Sequence, residues 1–288
     1  MSFWLDMENP TTASRHVETP VRRGMEEWPR EVLGSGDIST GFCRRLRALL
    51  LSDPAIRPQN IAHSERSNGR GEHRGTNAPP AGTNVFGIPP PNPVFIPVNW
   101  WGYRQTAEAL LYCDRRGLHL VRANEPHADR LEHRLFRYSA IGRIERGRML
   151  LHSWIVVQDD AGSVTVEFNT AAEDVLSPLL RHLRRAAFGA RFVENGDLLG
   201  HRDFRWLDPR IDPKFANYAG ECLVSREELI TLRYFTEPPP EVRRLVILTK
   251  REVIDISERV RSTPTRPQYG GVWSYTAVWD DNTGTRRV

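Results

Sequence analysis

The run Leu110-Leu111-Tyr112-Cys113-Asp114-Arg115-Arg116-Gly117-Leu118-His119-Leu120 follows the same residue pattern as Val246-Ile247-Leu248-Thr249-Lys250-Arg251-Glu252-Val253-Ile254-Asp255-Ile256, at an offset of 136 positions. Farther on, Phe136-Arg137-Tyr138-Ser139-Ala140-Ile141 matches Trp273-Ser274-Tyr275-Thr276-Ala277-Val278 at an offset of 137. Aromatic lies over aromatic, hydroxyl over hydroxyl, β-branched over β-branched. A chain that writes one β-rich pattern twice is constrained towards two related modules. Its 288 residues are enough for about two domains.

The pattern between the repeats supplies the elements. Residues 1–54 read as an irregular segment with one helix at 41–52, where Phe42, Leu46, Leu49 and Leu50 recur at helical spacing and Thr40 is the expected cap. Residues 55–97 read as a flexible linker. The stretch from His63 to Asn84 has almost no large apolar side chain to offset its ordering entropy, and Pro89-Pro90-Pro91 favours polyproline II. A first module is expected over 98–190. It contains a hairpin turning at Asp114–Gly117, with Gly117 supplying positive φ, and strands at Leu135–Ile144, Met149–Gln158 and Val164–Phe168. Thr170 and Glu173 have the spacing of a capping box, and Leu176, Leu180, Leu183 and Ala187 form one helical face. Pro178 inside that face predicts a bend or a second start capped by Ser177.

A connector follows at 191–217, which Trp206-Leu207-Asp208-Pro209 is expected to anchor onto a domain surface. The second module is expected over 218–288, with strands at Leu229–Phe235, Leu245–Leu248, Val253–Ile256 and Val272–Trp279 and a polar loop at 258–271. It is expected to be incomplete. Under the repeat, Gly284 corresponds to Gly147, so the two strands and the helix that close the first copy have no counterpart. The last strand of the second copy then needs a cover: the first module, another chain, or none because the polypeptide is a shortened form.

Composition narrows the chemistry. The net charge of +4 is too small to imply nucleic acid by itself. Of the basic residues only Lys214 and Lys250 are lysines, and neither stands in a P-loop or a kinase strand motif. There is no His-Glu-x-x-His and no Gly-x-Ser-x-Gly. Cys43, Cys113 and Cys222 are too dispersed for a disulfide framework, and Cys113 reads as a buried thiol. His127, Asp129, Glu132 and His133 are the densest ligand-type cluster and read as a solvated loop. Trp154 reads as core, and His119 and His152 as side chains at the core's edges. Trp100, Trp101 and Tyr103 are an aromatic set suited to packing or to contact. No window reaches the roughly 18 apolar residues of a membrane span, and the N-terminus is not a secretory signal.

Several antiparallel strands followed by one amphipathic helix resembles the pleckstrin-homology-like module of tandem-domain bacterial proteins. The residues that carry the likeness are Leu118-His119-Leu120-Val121, Tyr138-Ser139-Ala140-Ile141-Gly142-Arg143-Ile144, Leu151-His152-Ser153-Trp154 and Val166-Glu167-Phe168-Asn169. The resemblance implies a mainly β (α+β) chain. It would be an antiparallel barrel or sandwich with a C-terminal amphipathic helix, partly repeated, the second copy truncated. It also implies binding rather than catalysis, without cofactor or metal. The expected activity is docking to a protein partner or an anionic membrane surface, in the cytoplasm or peripherally at a membrane. The alternative is nucleic-acid binding through arginine clusters and exposed aromatics. Arg143, Arg146 and Arg148 are the expected anion or partner contacts, with Arg115 and Arg116 at the hairpin turn. Residues 146 and 148 would share one strand face.

Overall fold

The computed structural model describes residues 30–33, 37–52, 90–98, 100–101, 104–123, 130–192, 197–236, 243–261, 268–280 and 285–286. The elements in chain order are β1 (Arg30–Glu31), α1 (Thr40–Ser52), β2 (Val94–Ile96), β3 (Trp100–Trp101), β4 (Arg104–Gln105), β5 (Ala109–Cys113), β6 (Gly117–Ala123) and β7 (Leu131–Arg137). They continue with β8 (Arg143–Met149), β9 (His152–Asp159), β10 (Gly162–Asn169), α2 (Glu173–Phe188), α3 (His201–Leu207) and α4 (Pro213–Gly220). The chain then runs through β11 (Leu229–Thr236), β12 (Arg243–Thr249), β13 (Glu252–Arg261), β14 (Gln268–Ala277), β15 (Trp279–Asp280) and β16 (Thr285–Arg286). The protein is mainly β. It divides into two compact units interleaved in sequence: residues 1–138 with 171–182, and residues 139–170 with 183–288.

The first unit holds a five-stranded antiparallel sheet in the order β1-β2-β5-β6-β7. Phe42, Leu46 and Leu50 of α1 are buried in one core with Phe95, Leu110, Tyr112 and Val121. Phe42 meets Phe95 edge to face at 5.2 Å. The helix cap is Ser39 rather than Thr40: its hydroxyl accepts the Phe42 N–H at 3.2 Å and donates to Glu108 Oε1 at 2.8 Å. Gly117 is needed for clearance rather than for positive φ. A Cβ there would stand 2.0 Å from the Phe136 carbonyl oxygen on the paired strand.

The second unit holds a seven-stranded antiparallel sheet in the order β10-β9-β8-β14-β13-β12-β11. Alternation along the strands sends Leu245 and Ile247, Ile254 and Ile256, and Trp273 and Tyr275 to one buried face. Helix α4 packs on that face. Phe215 touches Tyr234 at 5.5 Å, Tyr218 touches Trp273 at 4.8 Å, and Trp273 Nε1 donates to the Tyr218 carbonyl at 3.0 Å. The opposite face carries half-buried Val246, Leu248, Val253 and Asp255.

Several expectations are corrected. Both sheets are open, so no closed barrel is formed among the described residues. The strand drawn through 135–144 is two strands, β7 and β8, separated by a 3-10 turn at Tyr138–Ala140. The loop expected at 258–271 is mostly strand, because β13 reaches Arg261 and β14 starts at Gln268. Helix α2 starts at Glu173, after a 3-10 turn at Thr170–Ala172, and the Thr170 hydroxyl lies 2.8 Å from that of Ser153. It runs unbroken through Pro178, with Ser177 donating to the Glu173 carbonyl at 3.0 Å. The connector contains α3 and the first part of α4, which runs on to Gly220. The edge of β14 is occupied: Gly271–Thr276 pair with Arg148–Arg143 of β8. The linker core at 55–89 lies outside the described residues, as do Tyr103, His127 and Asp129 and the side chains of Trp100 and Trp101.

Candidate functional site

The predicted arginines are placed by strand β8 and the β5–β6 turn. Arg146 and Arg148 do share a face, and it is the covered face of the sheet. Arg146 is buried, with its guanidinium 4.0 Å from the Trp273 ring centre. Glu221, just past α4, bridges both cations, with Oε2 2.5 Å from Arg146 Nη2 and Oε1 2.9 Å from Arg148 Nη2. One carboxylate thus takes up much of the charge that an external anion would have met. Gly147 does not break the strand. Its lack of a Cβ leaves room for Trp154, whose ring lies 2.0 Å from where that atom would stand. Arg143 is on the opposite face, where it donates to Ser274 Oγ at 2.7 Å and to Glu145 Oε2 at 2.8 Å. Arg116 Nε is bound to Asp114 Oδ2 at 3.0 Å, whereas Arg115 is exposed at the turn. Arg115 and Arg116 belong to the first unit, and the three arginines of the second unit are divided between the two faces of β8.

A second cluster is formed by the β5–β6 hairpin and β7. Asp114 ends β5, and its Oδ1 accepts the N–H groups of Arg116 at 2.8 Å and Gly117 at 3.1 Å, which closes the turn. Its Oδ2 lies 3.1 Å from His119 Nε2, and His119 Nδ1 lies 2.9 Å from His133 Nε2. Tyr112 stacks on His119 at 4.5 Å. Burial raises the Asp114 carboxyl, but hydrogen bonding and charge attraction from His119, with the Arg116 bonds, outweigh it and hold the group at about 2. Cys113, beside this chain, is pushed up to about 12 by burial. A thiol in that state is a poor nucleophile. His119 is fully buried, so a substrate cannot touch it, and His133 beside it is half-buried. Glu132 and His133 belong to no cluster of metal-ligand type among the described residues.

The third place is one that the sequence reading assigned to anchoring. In α3 the anchor is Phe204, which is fully buried, while Trp206 is 86% exposed and Leu207 53% exposed. Arg202 and Trp206 are i and i+4 on the outer side of the helix, with Arg205 next to them. With His201 and Pro209 they line a shallow groove of about 380 Å³. Asp203 faces away from this task. Its Oδ2 accepts the Gly200 N–H at 2.8 Å and its other oxygen pairs with Arg226, and both interactions lower its pKa. Asp208 is likewise engaged by Arg210, with Nη2–Oδ2 at 2.9 Å. Among the described residues, Asp203 and Asp208 are thus matched by other cations, and Arg202 and Arg205 stand beside an exposed indole. Asp203 three residues after Gly200, with Phe204 and Trp206 on opposite sides, was the available signal of a short amphipathic helix.

Comparison with protein-family models, curated proteins and solved structures finds no match for this chain. None of the helices in the described residues is long and apolar enough to cross a membrane.

Proposed function

We propose that this protein is a non-catalytic docking protein whose α3 surface attaches it to an anionic membrane. The observation that carries the reading is Trp206, exposed on the same helix side as Arg202 and beside Arg205. A solvated indole beside two arginines suits the headgroup layer, where tryptophan is favoured and each arginine near an anionic surface contributes about 1 kcal/mol. Attachment of this size is reversible and salt-sensitive.

The pleckstrin-homology-like reading is part of the proposal. In its favour, β5–β7 and β12–β14 are both antiparallel three-strand meanders. Their first turns use the same device: Asp114 Oδ1 accepts from residues 116 and 117, and Thr249 Oγ1 accepts from Arg251 at 3.2 Å and Glu252 at 2.9 Å. The closing pairs Cys113↔Leu118 and Leu248↔Val253 place the equivalence at an offset of 135, one residue from the sequence match. The nucleic-acid alternative rested on arginine clusters and exposed aromatics, and of the candidate arginines Arg143, Arg146 and Arg148 are engaged by Glu145 and Glu221.

The test is sedimentation with phosphatidylcholine vesicles, with and without phosphatidylserine. Binding is expected only to the anionic vesicles, weaker at high salt, and reduced by Arg202→Ala with Arg205→Ala and by Trp206→Ala. Full binding by all variants would remove α3 from the interface, and no binding by the parent protein would end the membrane reading.

A further inference from the structure

A tight turn elsewhere in the second unit breaks the usual residue rule in a direction that points outward. Strands β8 and β9 pair up to Met149↔His152, so Leu150 and Leu151 alone make the turn. Leu150 has φ +52°, and the only other non-glycine residue with positive φ among those described is Leu223. Positive φ at the first central residue of a two-residue hairpin turn is where glycine is ordinarily found, because a Cβ is crowded there. A leucine in this position strains the backbone. Leu223 follows the end of α4 and is half-buried, so packing accounts for its conformation. Packing does not account for Leu150, which is 65% exposed, next to Leu151 at 64%. The fold accepts backbone strain in order to hold two large apolar side chains in water.

The turn is also held firmly. The Leu151 carbonyl accepts the Thr170 N–H at 2.8 Å, which ties the tip to the end of β10. A convex pair of leucines on a fixed hairpin end cannot enclose a ligand. It can only enter an apolar medium or a pocket in something else. Strain retained at one exposed point is the pattern expected where function, not stability, selects the residue.

We infer that the Leu150-Leu151 tip is a second membrane contact, a hydrophobic prong that enters the acyl boundary of the bilayer to which α3 docks. The inference rests on the membrane reading of α3, which contacts join to the tip: Arg148, two residues before Leu150, pairs with Glu221 at 2.9 Å, and a Cβ on the adjacent Gly220 would stand 3.4 Å from the His201 nitrogen at the start of α3. The bilayer is the occupant because it satisfies both observations with one partner: cationic Arg202 and Arg205 for the headgroups, and apolar Leu150 and Leu151 for the layer beneath. The division of labour is chemical. The arginine contribution weakens with salt, whereas the leucine contribution does not.

The experiment compares the parent protein, Leu150→Gly with Leu151→Ser, and Trp206→Ala. Each is titrated with phosphatidylserine-containing vesicles at low and at physiological salt, and each is unfolded in urea. The tip variant should unfold at a urea midpoint equal to or above the parent's, because glycine relieves the turn. Its vesicle affinity should fall about tenfold or more, by a similar factor at both salt concentrations. Equal affinity of the tip variant and the parent would overturn the prong while leaving α3 docking intact. A lowered urea midpoint would overturn it too, since the leucines would then be serving the fold. If the parent protein binds no vesicles, the docking reading falls first and the prong falls with it.

Discussion

Replacing Glu252 by glutamine should be the most damaging isosteric change in the second unit, and the size of the effect can be worked from the contacts. Glu252 meets Arg184 with both carboxylate oxygens, at 3.1 Å to Nε and 2.5 Å to Nη2. The two side chains are only 4% and 2% exposed. Arg184 also donates to the Cys222 carbonyl at 3.0 Å and lies 4.0 Å from the Tyr275 ring centre. Burial disfavours the guanidinium charge, and the attraction of Glu252 outweighs that and raises its pKa. Without the carboxylate, Arg184 keeps its charge but has one carbonyl and the rings of Tyr275 and Phe192 to hold it. Removing one partner of such a buried pair costs about 3–5 kcal/mol, against a total stability of about 5–15 kcal/mol. Urea unfolding of Glu252→Gln should therefore show a large fall in midpoint at unchanged slope. The double variant Arg184→Leu with Glu252→Leu removes both charges and should be less damaged than the sum of its single variants, by at least about 2 kcal/mol. The effect should be nearly independent of salt, because the pair is out of solvent. A loss below about 1 kcal/mol for Glu252→Gln, or strict additivity in the cycle, would refute the reasoning.

Asp114→Asn keeps the turn geometry and removes the charge that faces His119. The folded carboxyl is held at about 2, below its ordinary 3.8, so its stabilising contribution is complete above about pH 4 and is lost as the pH falls towards 2. The stability gap between the parent and Asp114→Asn should be about 1–2 kcal/mol at neutral pH and should close across that acid window; a gap constant from pH 7 to 2 would contradict the assignment. Gly147→Ala should destabilise by about 1–3 kcal/mol, because its methyl group would overlap the Trp154 ring. Gly142→Ala, where nothing lies within 4 Å of the added atom, is the control whose melting temperature should stay close to that of the parent.

Local patterns were readable wherever one face of an element is apolar. The α1 helix, the β5–β6 and β12–β13 hairpins, the β9–β10 turn and the buried Trp154 and Cys113 all follow from spacing, propensity and turn chemistry that act over a few residues. Strand limits were less readable. Tyr138–Ala140 turns the chain where the pattern ran on, and β13 and β14 extend through residues whose side chains look like loop. Pairing with a neighbouring strand sets those lengths, and a neighbour is not a local property.

A mainly β chain, the helical face of Leu176, Leu180, Leu183 and Ala187, and the residue types available for chemistry are legible from local pattern. Which of the described arginines meet a carboxylate depends on the packing. Arg146 and Arg148 looked available because strand alternation puts them on one face, but α4 covers that face and Glu221, 73 residues beyond Arg148, bridges them. Trp206 looked like an anchor because tryptophan usually is one, yet Phe204 fills the buried side of the same short helix and turns the indole to solvent. Alternation and helical period assign residues to faces. Which face is covered, and by which distant carboxylate, depends on how the elements pack, and packing is a property of the whole chain.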